Sequence, residues 1–363
     1  MIVANVVGAR PNFMKIAPIH RRMLGSKKLK PLLIHTGQHY DEKMSKAFFE
    51  DLQLPEPDIY LGVGSGSHAR QTAEVMIRIE QFVEEKKPDL MIVVGDVNST
   101  PAAALAAVKM GVPVAHVEAG LRSFDRTMPE EINRIVTDAI SDLLFVSEPS
   151  GVENLKREGV ADDKIYFVGN VMIDSLVEHL QKAAELTVLE EMKVEPGRYA
   201  LITLHRPSNV DNQEVLQQIF YALDEIQQQL PIVFPMHPRT RKMIAAFGME
   251  KRVAGMSNLR IVEPLAYLPF LRLMSCAKVV LTDSGGIQEE TTYLKIPCLT
   301  MRKNTERPIT VTMGTNRLVG MNPEDILRGF SEAMNGFAAK AEVPPLWDGR
   351  ASQRIVETIE RLF

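Results

Sequence analysis

Short apolar runs alternate with amphipathic stretches from one end of the chain to the other, and no other feature restricts its folding so strongly. A run such as Ala277-Lys278-Val279-Val280-Leu281-Thr282 reads as a buried parallel strand, and the helical stretches between runs complete strand-helix-strand units. Expected strands in the first half are 2–7, 31–35, 89–94, 112–117, 142–146 and 165–168. In the second half they are 199–204, 232–236, 259–262, 278–282 and 296–301. The fold class that follows is α/β, with two Rossmann-like domains built on parallel sheets. A chain of 363 residues is long for one core and comfortable for two.

The boundary is expected between 169 and 197. There the turn at Gly169-Asn170 and a helix from Ala184 to about Lys193, followed by Glu195-Pro196-Gly197, both read as domain edges. The domains are then 1–170 and 171–350, with a last helix over 351–363 whose Ile355, Ile359 and Leu362 recur at helical spacing.

In open parallel sheets, ligands bind beyond the carboxyl ends of the strands, so the groups found there matter most. The segment Asp283-Ser284-Gly285-Gly286-Ile287-Gln288-Glu289-Glu290 follows one such strand and opens a helix. The first N–H groups of that helix have no partner and carry the positive end of its dipole, so Ser284, Gly285 and Gly286 form a seat for phosphate. Glu290, about one turn further, could accept hydrogen bonds from sugar hydroxyls. Phosphate and hydroxyls together suggest a nucleotide.

Other strand ends carry Arg10 with Lys15 one turn on, Asp96, Glu118, His205 and His237, while Glu130 and Glu131 open a helix behind Pro129. Each has an ordinary structural use. Asp96 suits a helix cap, and the first-turn acids suit the dipole. Glu118 is harder to assign to capping, because it closes an apolar run and risks desolvation. If both sheets turn their carboxyl ends to a central cleft, the acids of the first half face the cations of the second.

A formal charge of -4 gives no basic surface to track a nucleic-acid backbone, and no nucleic-acid partner is expected. No apolar run approaches the length of a membrane span, and the first residues read as a strand, so the expected location is cytoplasmic. Cys276 and Cys298 read as core residues. The eight histidines show no HxxxH or cysteine partner at ligand spacing, so no metal is expected. The glycine-rich run 62–67 reads as a loop ahead of a helix starting near His68.

Taken together, Gly8-Ala9-Arg10-Pro11, Thr36-Gly37-Gln38-His39, Gly95-Asp96, Val117-Glu118-Ala119-Gly120-Leu121-Arg122, Pro129-Glu130-Glu131-Ile132-Asn133-Arg134, Asp283 to Glu290 and Thr305-Glu306-Arg307-Pro308 resemble the non-hydrolysing UDP-N-acetylglucosamine 2-epimerases. The similarity runs from the first strand to the last helix. It implies a glycosyltransferase-B architecture with the last helix crossing back to the first domain, no cofactor, and a homodimer acting on a UDP-sugar.

The resemblance also implies a reaction and roles for residues. UDP leaves C1 as a proton leaves C2, giving a 2-acetamidoglucal that recombines with UDP on protonation of the opposite face. Asp96, Glu118 and Glu130 match the catalytic carboxylates, and Arg10, Lys15 and His205 match groups near the diphosphate. Ser284, Gly285 and Gly286 match the phosphate seat and Glu290 the ribose ligand. Phe270 is placed near the uracil, with Arg307 and Arg317 within reach of the nucleotide.

Two departures stand out. His205-Arg206-Pro207-Ser208 lacks a third basic residue found in many bacterial members, and the loop 123–128 is short, so activation by substrate at a second site is not expected. The same short loop occurs in relatives acting on UDP-2,3-diacetamido-glucuronic acid. Alternative activities are therefore that sugar's 2-epimerisation, or hydrolysis to free ManNAc and UDP. A glycosyltransferase of the same fold and a nucleotide-sugar sensor are the remaining readings.

Overall fold

The apolar runs are strands covered on both faces, as a computed structural model describing residues 1–37 and 54–363, apart from the side chain of Arg10, shows. Gln38 and His39 of the Thr36 to His39 motif lie outside the described residues. Contacts divide the chain into two units: Met1–Glu178 with Pro345–Phe363, and His179–Pro344.

Unit 1 contains strands β1 (Ile2–Val7), β2 (Lys30–His35), β3 (Ile59–Tyr60), β4 (Leu90–Val94), β5 (Val114–Ala119), β6 (Leu143–Val146) and β7 (Ile165–Phe167). They pair in parallel in the order β3-β2-β1-β4-β5-β6-β7. Every residue of β4 and β5 is buried, as central parallel strands require. One face is covered by the helices His68–Lys86 and Ser99–Lys109, whose Val75, Ile79, Phe82 and Ala103 join Val93 and Met91 in one core. Five alanines in Ser99–Lys109 keep that helix thin enough to lie close to the sheet.

Unit 2 contains β8 (Ala200–Ile202), β9 (Ile232–Pro235), β10 (Leu259–Val262), β11 (Val279–Thr282), β12 (Cys298–Thr300) and β13 (Asn316–Leu318), parallel in the order β10-β9-β8-β11-β12-β13. Leu216, Ile219, Phe220 and Leu223 from the helix Gln213–Gln227 pack with Phe330 against β8, β9 and β11. Both units are thus doubly wound parallel sheets. Their strand order reverses between β1 and β4 in unit 1, and between β8 and β11 in unit 2.

Two short edge strands, β3 and β13, are absent from the sequence reading; neither carries an apolar run long enough to mark it. The helix expected over 184–193 is instead Val171–Ala184 followed by the single turn Val188–Glu191. Asn170 explains the earlier start, because its Oδ1 accepts from the Met172 amide at 2.9 Å and opens the helix.

The chain returns to unit 1 at Pro345. Its backbone passes so close to Gly169 (φ +87°) that a Cβ there would lie 2.1 Å from the Leu346 carbonyl oxygen. Trp347 is buried and donates to the Ser147 carbonyl at 2.9 Å. Asp174 then caps the last helix, Ala351–Leu362, accepting from the amides of Ala351 and Ser352 at 3.1 and 2.8 Å. That helix turns Ile355, Val356 and Ile359 inward and packs on the helix Arg10–Leu24.

Candidate active site

Unit 1 gathers its polar groups at the reversal between β1 and β4. Asn12, in the first turn after β1, accepts from the Ala9 amide at 3.1 Å and donates to the Val94 carbonyl at 2.7 Å, which ties the two strand ends together. Glu118 sits in β5 with φ +70°, where the pairing with β6 shifts register between Val117 and Ala119. A non-glycine residue in that left-handed region is strained, and the bulge re-aims its side chain. The carboxylate that results is buried and pairs with Lys15, also buried. A Cβ at Gly95 (φ +68°) would lie 3.1 Å from the Lys15 Nζ and 3.6 Å from Glu118 Oε2, so the turn before Asp96 lies against this pair.

Asp96 bonds through Oδ2 to Arg134, whose other nitrogens reach Glu131 Oε2 at 2.5 and 3.2 Å. Glu131 also accepts the amides of Ser123 and Phe124, each at 2.9 Å. Burial alone would raise the Glu131 pKa, but the bonds from Ser123 and Arg134 hold it below the usual range. Glu131 therefore fixes the loop 121–128. Its neighbour Glu130 is half-buried in the first turn of the helix Pro129–Ile140.

Unit 2 repeats this organisation between β8 and β11. Asp283 is fully buried; its Oδ2 accepts the amides of His205 and Arg206 at 2.8 Å each, and its Oδ1 lies 2.9 Å from His205 Nδ1. Desolvation would raise the pKa of Asp283, but His205 and those amides hold it low. His237 accepts the Arg239 amide at 3.1 Å as the cap of the helix Pro238–Ala246, with its ring 5.7 Å from that of His205. Burial and the neighbouring His205 lower its pKa.

The helix Gly285–Leu294 starts with no side-chain cap and no acid in its first turn, so its end keeps its positive character at Ser284, Gly285 and Gly286. Gly285 has a steric reason too. A Cβ there would lie 2.8 Å from Glu306 Oε1 and 3.0 Å from Arg307 Nη1. Arg307 is thus beside the seat, in a buried cluster with Glu289 and Glu306 at 2.7 Å each. Glu290 is buried and accepts from the Tyr267 hydroxyl at 2.9 Å, and Phe270 is half-buried one turn along the helix Tyr267–Ser275. Arg317 instead pairs with Glu332 and lies 4.8 Å over the Phe337 ring.

A family model for UDP-N-acetylglucosamine 2-epimerase matches residues 21–360. The chain belongs to this family. A UDP-N-acetylglucosamine 2-epimerase homolog from Methanococcus maripaludis is 43% identical over the whole of both chains. The UDP-2,3-diacetamido-2,3-dideoxy-D-glucuronate 2-epimerase of Pseudomonas aeruginosa is 40% identical, also over the whole of both. The crystal structure of Methanocaldococcus jannaschii UDP-GlcNAc 2-epimerase in complex with UDP-GlcNAc and UDP superposes with a TM-score of 0.92 at 42% identity, covering 99% of this chain and all of that one. In this epimerase each unit gathers polar groups at its own strand-order reversal. Among the described residues no helix is long and apolar enough to cross a membrane.

Several of the epimerase's site-building residues escape the sequence reading. Arg134 is quoted in its motif, yet only the fold shows that it ties Asp96 to Glu131. Tyr267 and the hub role of Asp283 carry no sequence signal, because their partners are 23 and 78 residues away.

One pH effect follows from Glu290. Burial, and secondarily the nearby Glu289, raise its pKa to about 8, while the Tyr267 hydroxyl opposes this. The folded protein then binds a proton that the unfolded chain releases near 4.5. The stabilisation is complete below that pH and is lost as pH rises to about 8. Thermal unfolding between pH 5 and 9 should show a declining limb that Glu290→Gln flattens; an unchanged slope in the variant would assign the limb elsewhere.

Proposed function

We propose that this epimerase interconverts UDP-N-acetylglucosamine and UDP-N-acetylmannosamine, supplying a precursor of surface polysaccharide. The observation that carries the reading is the meeting of Asp96 and Glu118 around Gly95, each held by a cation, with Glu130 in the first turn of the helix Pro129–Ile140. A hydrogen on C2 beside an acetamido group is not acidic, and direct deprotonation would be slow. Elimination avoids the problem. One carboxylate takes the C2 proton while the C1–O bond breaks with its electron pair on the β-phosphate, leaving a C1–C2 double bond and UDP. A second carboxylate then delivers a proton to the other face of C2 as the phosphate oxygen re-forms its bond to C1.

In this reading Arg10, Lys15 and His205 offset charge on the departing diphosphate. Ser284, Gly285 and Gly286 hold the diphosphate, Glu290 the ribose and Phe270 the uracil, with His237 and Arg307 supporting them. The resemblance to the family favours a cytoplasmic homodimer. The relative from Pseudomonas aeruginosa and the short loop 123–128 support a second substrate, UDP-2,3-diacetamido-glucuronic acid.

Steady-state turnover of both UDP-sugars by the purified chain tests the choice. A kcat/KM for UDP-GlcNAc at least about tenfold higher is expected. The reverse ratio would select the diacetamido sugar, and free ManNAc would select hydrolysis.

A further inference from the structure

His116 and Asp138 belong to none of the groups assigned above, yet they bind two of the acid-bearing loops together. His116 is fully buried in β5, and Asp138 is 2% exposed on the helix Pro129–Ile140. The His116 Nδ1 lies 2.6 Å from Asp138 Oδ1, and its Nε2 lies 2.8 Å from the Gly95 carbonyl oxygen. The other oxygen of Asp138 accepts the Gly120 amide at 3.0 Å and an Arg122 nitrogen at 2.7 Å. Arg122 in turn reaches Glu158 at 2.6 and 2.8 Å.

A carbonyl only accepts, so the Nε2 side of the ring is the donor to Gly95. Asp138 takes a guanidinium and an amide on its second oxygen, as a carboxylate does. Burial alone would raise the Asp138 pKa, but His116 and Arg122 hold it below the usual range. Both ring nitrogens of His116 are thus engaged, one by Asp138 and one by the Gly95 carbonyl. An ordinary core histidine needs only two satisfied nitrogens. This one joins the residue before Asp96 to a helix whose carboxylate holds the residue two after Glu118.

We infer that His116 and Asp138 are positioning residues that hold Asp96, Glu118 and Glu130 in mutual register for proton transfer at the two faces of C2. Gly95 sets Asp96, Gly120 sets Glu118, and the helix bearing Asp138 carries Glu130 eight residues earlier, about 12 Å along its axis. The inference rests on the acid–base reading of those three residues.

Two variants of the full chain test it. Asp138→Ala should lower kcat per folded molecule about 10²-fold, the scale of a misplacement near 1 Å, while UDP affinity changes less than about threefold. It should also release more 2-acetamidoglucal per epimerisation, because an acid out of register reprotonates late; lost stability alone would not move that ratio. Asp138→Asn should recover most of kcat. Its amide oxygen can accept from Gly120 and Arg122, and its NH2 can donate to the His116 Nδ1. An Asp138→Ala enzyme with kcat and glucal release like the parent overturns the inference; if that variant does not fold, an Asp138→Asn enzyme about 10²-fold below the parent in kcat overturns it. If Asp96→Asn and Glu118→Gln both remain fully active, the acid–base reading fails instead.

Discussion

Asp96→Asn is expected to lower kcat by about 10²- to 10⁴-fold, the usual contribution of a positioned acid or base, while UDP affinity stays within about threefold. The substitution separates chemistry from structure because the amide keeps an oxygen for Arg134 and removes only the ability to take up or give a proton. The Asp96 side chain is 28% exposed, so losing its charge leaves little buried charge uncompensated and the unfolding temperature should barely move. Turnover and UDP titration on the same preparation give the test. Near-parental kcat would remove Asp96 from the chemistry, and a matching collapse of UDP affinity would make it a binding group.

Lys15→Met should lower both stability and activity. Lys15 and Glu118 are 7% and 4% exposed, and removing one partner of a buried pair leaves the other charged and desolvated, at a cost of about 3–5 kcal/mol. For a unit of this size, that corresponds to a fall of roughly 10 °C in unfolding temperature. Activity should fall at least about 10²-fold on the proposed reading, since a proposed counter-charge to the diphosphate is lost and the Glu118 carboxylate is no longer held. Adding Glu118→Gln to Lys15→Met removes both charges and should restore most of the stability without restoring turnover. Additive stability losses in the double variant would show that the two side chains do not act as a pair.

The parallel sheets are legible in the sequence because central strands such as Leu90–Val94 and Val279–Thr282 are buried on both faces and must be apolar throughout. Edge strands β3 and β13 escape because two or three residues cannot impose a pattern. The strand ends point to Asp96, Glu118, His205 and the seat at Ser284 to Gly286, since ligands of open parallel sheets bind beyond the carboxyl ends of the strands. What holds them is not legible. Arg134 meets Asp96 across 38 residues and Asp283 meets His205 across 78, separations at which only the strand order decides which residues touch. Glu130 and Glu131 show the same limit. Their spacing makes them equal candidates, and only the bonds of Glu131 to Ser123 and Arg134 give it to the loop.

The central claim is that the C2–H bond breaks and re-forms while the nucleotide stays bound, and incubation with UDP-GlcNAc in deuterated water addresses it most directly. Both UDP-linked C2 epimers should form, each carrying deuterium at C2. Epimers that retain protium at C2 would contradict it.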